Sequence, residues 1–403
     1  MIDIASPSIT MQGQDGWWTV ESGLVAAVNE IIQVIYYWWR YSVAPWQGGG
    51  IPVMPLIATG ISALVLSYFG VAEMRRWAER RLILDIPNER SSHFVPKPLG
   101  GGLAVVSVTL VGLILHHLFY LSSASLIVFI YVLGAVLIAG VGWWDDLHSL
   151  SSLSRFSVHS LSAVFAIWVL GCPANVDLPA WGSVEIGWLG IPLTFLWIVG
   201  LTNAYNFMDG IDGMAGSQAV VAGMGWLILG WLGDLPLVVV LGLLLAATNL
   251  GFLAHNWHPA RIFMGDVGSG FLGFTFGFLA VIAANSDPKF MVLGATLVWP
   301  FIFDTVFTIL RRLRYHENIF VAHRSHLYQR LVIAGYSHRF VTLIYAGLAM
   351  IGLALSVAWL QEVPGSGTAL MITIPLLCLG LWVFVAFFVE RTRFSPGGKD
   401  PAL

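Results

Sequence analysis

Five polar clusters interrupt an otherwise apolar chain, and three of them carry the carboxylates best suited to chemistry. Asp145 and Asp146 are adjacent in Trp143-Trp144-Asp145-Asp146-Leu147. Neighbouring carboxylates repel each other and are costly to desolvate, so the pair calls for a cation or a shared proton. Asn203, Asn206, Asp209 and Asp212 recur at spacing three and end in Gly213. On a helix that spacing fans them across one side, and neighbours such as Asn206 and Asp209 can reach one ligand. Carboxylate and amide oxygens of this kind suit Mg²⁺ or Mn²⁺. Asp266, in Gly265-Asp266-Val267-Gly268-Ser269-Gly270, opens an expected helix whose first backbone N–H groups form an anion site. A phosphate bound there would repel Asp266 unless a metal bridged them. The alternatives are an Asx-rich turn at 203–213 and a simple N-terminal cap at Asp266.

The other two clusters are basic. Asp85-Ile86-Pro87-Asn88-Glu89-Arg90-Ser91-Ser92-His93 is followed by Pro96, Pro98 and Gly100-Gly101-Gly102. The prolines oppose helix, the glycines allow a backbone to approach a ligand closely, and Arg90 and His93 could contact phosphate. His323-Arg324-Ser325-His326 suits a phosphate or sugar contact, and zinc is disfavoured because no cysteine or third histidine is near in sequence. Both clusters also read as ordinary basic loops. Asn256 and Arg261 precede the Asp266 motif, and Arg155 and His159 follow the Asp145 pair. Asp304 lies within an apolar run, where a carboxylate is a functional suspect by default. Its structural alternative is snorkelling toward Arg311. Cys172 and Cys378 are far apart, lack ligand spacing and read as packing residues.

The elements that must position these clusters are membrane-spanning helices. Of 403 residues, 57% are hydrophobic and 10% charged, well below the roughly 25% charge of a soluble domain. Apolar runs fall near 51–72, 101–119, 124–142, 157–171, 186–202, 213–232, 236–254, 268–285, 290–310, 340–360 and 369–389. They predict an all-α polytopic transmembrane bundle of about eleven spans, because open sheet edges cannot face hydrocarbon. This count places almost every Lys and Arg on one side, leaving Arg40 and Lys289 on the other. The N-terminus is then outside and the C-terminus inside, and all five clusters are cytoplasmic. Residues 1–50 read as an N-terminal extension, with an interfacial amphipathic helix at about 17–46 preferred over a twelfth span. Residues 51–390 form the transmembrane domain and 391–403 a cytoplasmic tail. No cleavable signal peptide, internal repeat or soluble domain is evident.

In content and order, Asp85–Gly102, Asp145-Asp146, Asn203–Gly213, Gly265–Ser269 and His323–His326 resemble the polyprenyl-phosphate N-acetylhexosamine-1-phosphate transferases. The resemblance runs from about residue 51 to 390, and five motifs in order on one membrane face are specific. His323-Arg324-Ser325-His326-Leu327-Tyr328-Gln329 departs from the histidine-rich form of the peptidoglycan enzyme. It looks like the O-antigen initiating branch that transfers N-acetylfucosamine or N-acetylquinovosamine. Ser91 stands where the family usually carries a basic residue, another resemblance to that branch.

The resemblance implies that undecaprenyl phosphate attacks the β-phosphorus of a UDP-N-acetylhexosamine and UMP leaves, initiating O-antigen or another surface polysaccharide. It implies Mg²⁺, or Mn²⁺ in its place, held by Asp266 and Asn206. Asp145 is the expected base, supported by Asp146, and Asp209 completes the catalytic set. Arg90, His93, Asn203, Asp212, Arg261, His323, Arg324 and His326 are expected to hold substrate. The expected setting is the bacterial inner membrane, with the site on the cytoplasmic face. The expected partners are the two substrates and membrane lipid; no nucleic acid is expected, and a homodimer is left open. The rival readings are an intramembrane aspartyl protease pairing Asp266 with Asp304 and a secondary transporter, which would place its polar groups at the midplane.

Overall fold

The computed structural model describes residues 53–87, 95–120, 125–318 and 323–389. The N-terminal extension, the tail, Arg90 and His93 lie outside the described residues.

The fold is all-α. Helices α1 (Val53–Arg81), α2 (Gly102–Tyr120), α3 (Ser125–His148), α4 (Ser152–Leu170), α5 (Gly190–Phe207), α6 (Met214–Leu232), α7 (Pro236–Asn256) and α8 (Asp266–Ala284) follow in order. Then come α9 (Lys289–Leu297), α10 (Trp299–Arg314), the short α11 (Leu327–Ile333), α12 (His338–Leu360) and α13 (Ser366–Val383). Ten helices are long and apolar enough to cross a membrane, and the bent pair α9–α10 makes eleven. Two small antiparallel hairpins are the strands among the described residues. In one, β1 (Leu84–Asp85) pairs with β2 (Lys97–Pro98); in the other, β3 (Asn175–Leu178) pairs with β4 (Gly182–Glu185).

The bundle is built around α8, whose spanning segment is 94% buried, against 17% for α13. Phe271, Phe274, Phe276 and Phe278 of α8 are fully enclosed. Peripheral helices instead expose Ile57, Ile61, Leu118 and Ile372, which suits hydrocarbon as the surrounding solvent. Small residues let backbones approach, as expected where packing rather than hydrophobicity joins helices. A Cβ added at Gly223 of α6 would meet the amide nitrogen of Ala246 on α7 at 2.6 Å.

Two spans differ from expectation. The first, expected over 51–72, continues as α1 to Arg81. Its extension carries charge pairs one turn apart, Arg76 with Glu73 at 2.9 Å and Arg75 with Glu79 at 3.5 Å, which favour helix. The ninth, expected as one rod over 290–310, is α9 and α10 joined at an 80° bend. Pro300 causes it: the ring has no N–H to give and crowds the carbonyl four residues back. Gln218 of α6 meets a carbonyl at the break, donating to Leu297 O at 2.8 Å. A polar backbone group inside the membrane thereby finds a protein partner.

Candidate active site

A cavity of about 500 Å³ opens at one end of the bundle. Asp145 and Asp146 reach it from the end of α3, and Arg155 from the start of α4. Asp209 and Asp212 come from the turn after α5, Asp266 from the start of α8, and His338 from the start of α12. Alternate helix ends therefore meet, as the even number of spans between successive segments requires. Asp85, Asn256, Phe263 and Gln329 complete the walls.

Arg155 ties two acidic motifs together. Its Nη1 lies 2.8 Å from Asp145 Oδ2 and 3.2 Å from Asp266 Oδ2. The other Asp145 oxygen accepts the Leu150 N–H. Asp146 sits on the start of α8, accepting the amides of Asp266 at 2.8 Å and Val267 at 3.2 Å. A carboxylate is stabilised there by free N–H groups and the positive end of the helix dipole. The anion site expected for phosphate is thus filled by a side chain of the protein. Gly265 permits the approach, because its φ of +79° and the adjacent Asp146 leave no room for a Cβ.

Asn206 Nδ2 donates to Asp266 Oδ1 at 2.8 Å and to Ser269 Oγ at 3.0 Å, so in this arrangement it orients the Asp266 carboxylate. Burial, then the negative charges of Asp266, Asp146 and Asp85, push the Asp209 carboxyl well above the ordinary range.

Asp212 is held in the opposite direction, at about 2. Burial alone would raise it; the His338 hydrogen bond, the Ala260 amide and His258 together more than offset that. Asp212 Oδ2 lies 2.6 Å from His258 Nδ1 and accepts the Ala260 N–H at 3.0 Å. Asn256 secures the same turn, accepting the Gly213 N–H at 2.9 Å and donating to Ile262 O at 2.9 Å. Asp212, His258 and His338 bring their ligand atoms within 4.8 Å of one another, and mutual hydrogen bonding accounts for that proximity.

The remaining expected residues are placed elsewhere. Asn203 donates to Val199 O at 2.7 Å, one turn back on its own helix. Arg261 is exposed, and its side chain does not line the cavity. His323 is half-buried and meets Ser325 Oγ at 2.8 Å; burial, then the charges of His326, Arg312 and Arg311, lower it to about 4. His323 and Arg324 are not in the cavity wall; Gln329 represents this loop there. His326 turns inward, its Nδ1 3.1 Å from Asp304 Oδ1. Asp304 is therefore engaged by His326, and the structural alternative, a pairing with Arg311, is not the one adopted.

Sequence reasoning gave no role to His258, His338 or Gln329. His258 and His338 are lone polar residues with no spacing that links them to a motif, whereas Gln329 closes the His323–Gln329 stretch without an assigned role. Only the folded chain brings His258 and His338 to Asp212.

The profile of glycosyl transferase family 4 matches residues 127–284, which include Asp145, Asp146, the 203–213 cluster and Asp266. A probable undecaprenyl-phosphate N-acetylglucosaminyl 1-phosphate transferase of Bacillus subtilis (strain 168) is 32% identical over 253 residues, 61% of this chain and 69% of the relative. The decaprenyl-phosphate N-acetylglucosaminephosphotransferase of Mycobacterium tuberculosis (strain ATCC 25618 / H37Rv) is 30% identical over 319 residues, covering 71% and 78%. A phospho-N-acetylmuramoyl-pentapeptide-transferase of Synechococcus sp. (strain JA-2-3B'a(2-13)) is 30% identical over 271 residues, covering 62% and 75%.

Proposed function

Because the chain belongs to glycosyl transferase family 4, the polyprenyl-phosphate N-acetylhexosamine-1-phosphate transferases, we propose that it moves a sugar 1-phosphate from a UDP-N-acetylhexosamine to undecaprenyl phosphate. One observation carries this reading: Asp145, Asp146, Asp209 and Asp266 converge with Arg155 on one cavity at a single end of the bundle. Two anionic substrates, one anchored in lipid and one from water, must meet at such a surface. The cavity volume is of the order expected for a small-molecule site.

In the proposed reaction a phosphate oxygen of the lipid attacks the β-phosphorus of the nucleotide sugar. The new P–O bond forms the lipid diphosphate, the bond to the α-phosphate breaks, and UMP leaves. Where the lipid phosphate carries a proton, a carboxylate accepts it. Asp209 is better placed for this than Asp145. Asp145 is already bound by Arg155 and the Leu150 amide, whereas the surroundings of Asp209 favour its protonated form.

Six aspartates line the cavity, a donor set that fits a hard divalent cation. Asp266 would hold Mg²⁺, with Asn206 and Arg155 orienting it. The cation would neutralise the phosphate charge that these acids alone would repel. Asp146 holds the start of α8 in place, and Asp212 fixes the turn that presents Asp209.

For the donor, the His323–Gln329 loop favours a 6-deoxy N-acetylhexosamine, while the bacillar and mycobacterial relatives are named for N-acetylglucosamine. An O-antigen pathway belongs to the first donor and the cytoplasmic face of the inner membrane to either. The test is purified full chain with undecaprenyl phosphate and UDP-N-acetylglucosamine, UDP-N-acetylfucosamine or UDP-N-acetylquinovosamine. Lipid-linked sugar and UMP are expected from at least one donor, and the ratio of kcat/KM values ranks them.

The rival readings find no support in the geometry. Asp304 is absent from the cavity wall that carries Asp266 and is bound by His326, which argues against a protease pair. The polar residues gather at one end of the bundle rather than at its midplane, unlike the site of a secondary transporter.

A further inference from the structure

Asp304 lies on α10 within the bent span, fully buried, and takes no part in the cavity wall. A carboxylate is costly at such a place, so its partners decide what it is for. It has five. Oδ1 accepts from His326 Nδ1 at 3.1 Å, the Leu327 amide at 2.9 Å and Thr308 Oγ1 at 3.2 Å. Oδ2 accepts from the Tyr328 amide at 3.1 Å and the Tyr345 hydroxyl at 2.6 Å. Three of the five belong to consecutive residues, 326–328, where the last polar motif enters α11. The same loop thus contributes both amide and side-chain donors to one buried acid.

Tyr328 carries the connection onward. Its hydroxyl donates to Phe207 O at 3.0 Å. Phe207 is the last residue of α5, so this carbonyl is among those the helix leaves unpaired at its end. The same hydroxyl packs against Gly210, where any side chain would collide with it. Asp209 lies between these two points of contact.

We propose that Asp304 is a positioning residue: by fixing residues 326–328 it sets Tyr328 against Phe207 and Gly210, and so holds the turn that presents Asp209 to the cavity. It acts from inside the bundle, one residue removed from the site. The relevance to catalysis rests on the transferase reading, but the mechanical connection does not.

The experiment is hydrogen exchange on detergent-solubilised full chain, with peptides covering 205–213, alongside transferase kinetics. Wild type is compared with Asp304→Asn, Tyr328→Phe and Tyr345→Phe. Tyr328→Phe removes one hydroxyl and is the variant least prone to misfold. It is expected to speed exchange at 205–213 while leaving α6–α7 peptides unchanged. It should lower kcat by roughly 10-fold or more, as misplaced catalytic groups do, with KM for the nucleotide sugar changing less than about twofold. Asp304→Asn should do the same, and the double variant should be no worse than the more impaired single one, because both act through one connection. Unchanged exchange at 205–213 in Tyr328→Phe, or losses that multiply in the double variant, overturn the proposal. If wild type itself makes no lipid product while the exchange pattern holds, the transferase reading falls and the connection from Asp304 stands.

Discussion

Asp146 is seated on the backbone of Asp266, its carboxylate accepting that residue's amide at 2.8 Å and the next at 3.2 Å. The acid pair closing α3 therefore fixes the position of the acid opening α8. Replacing Asp146 with Ala should leave two helix-start amides without this acceptor, a loss of about 1–2 kcal/mol for a capping interaction. The thermal midpoint should fall, and Asn, which keeps an acceptor oxygen, should restore most of it. Equal midpoints for Ala and wild type would contradict the seating role.

Asp266 is held by Arg155 and Asn206, and its carboxylate is the expected anchor for Mg²⁺. Chelation by EDTA should abolish turnover, and Mg²⁺ or Mn²⁺ should restore it. Asp266→Asn should lose about 10²-fold or more in kcat, of the order expected for a main electrostatic stabiliser. The check is a metal titration of both proteins in one assay. Full activity of the Asn variant in EDTA would remove the metal from the account.

The Asp209 carboxyl is pushed upward by burial first and then by Asp266, Asp146 and Asp85. The sign follows. A proton acceptor with a raised pKa becomes competent as pH rises, so kcat should climb through an acidic limb. Because the folded pKa lies above the unfolded one, this group favours the fold at low pH, and that contribution fades as pH rises through the folded value. Asp209→Asn should flatten the limb and lower kcat by about 10²-fold or more. Rate-versus-pH profiles of the two proteins decide it; a persisting limb in the variant would assign it to another group.

Much of this site can be read from sequence because its acids come in tight local patterns. Asp145-Asp146 and Asn203–Asp212 violate the apolar surroundings within a few residues, and adjacency or spacing three is visible without a fold. What joins them is not. Arg155 reaches Asp266 across 111 residues, and the distance in space follows only from the packing of α4 beside the start of α8. Asp304 is legible as costly, and the nearest basic residue in sequence is Arg311, two turns on. The partner is His326, 22 residues on and beyond a loop. The eleven spans could be counted because lipid imposes a length on each helix. The 80° bend needed the consequence of Pro300 inside one of those lengths.

The proposed cytoplasmic setting of the cavity end rests on the basic residues gathered there. Cysteines introduced at Arg261 and Arg314, both exposed at or beyond the helix ends on that side, should resist an impermeant thiol reagent in intact cells. Cysteines at Ala180 and Ser286, exposed at the opposite end, should react. Reaction at Arg314→Cys before cell disruption would reverse the orientation and separate the site from a cytosolic nucleotide sugar.

The central claim is that phosphorus, and not the sugar alone, moves to the lipid. A UDP-N-acetylhexosamine labelled with ³²P at its β-phosphorus tests this directly, with undecaprenyl phosphate as acceptor and wild type beside Asp266→Asn. The account requires the label to enter the organic-extractable lipid in step with the release of unlabelled UMP, and the variant to lag. Label retained in released UDP while the sugar alone reaches the lipid, or no label in lipid with any of the three donor sugars, would contradict it.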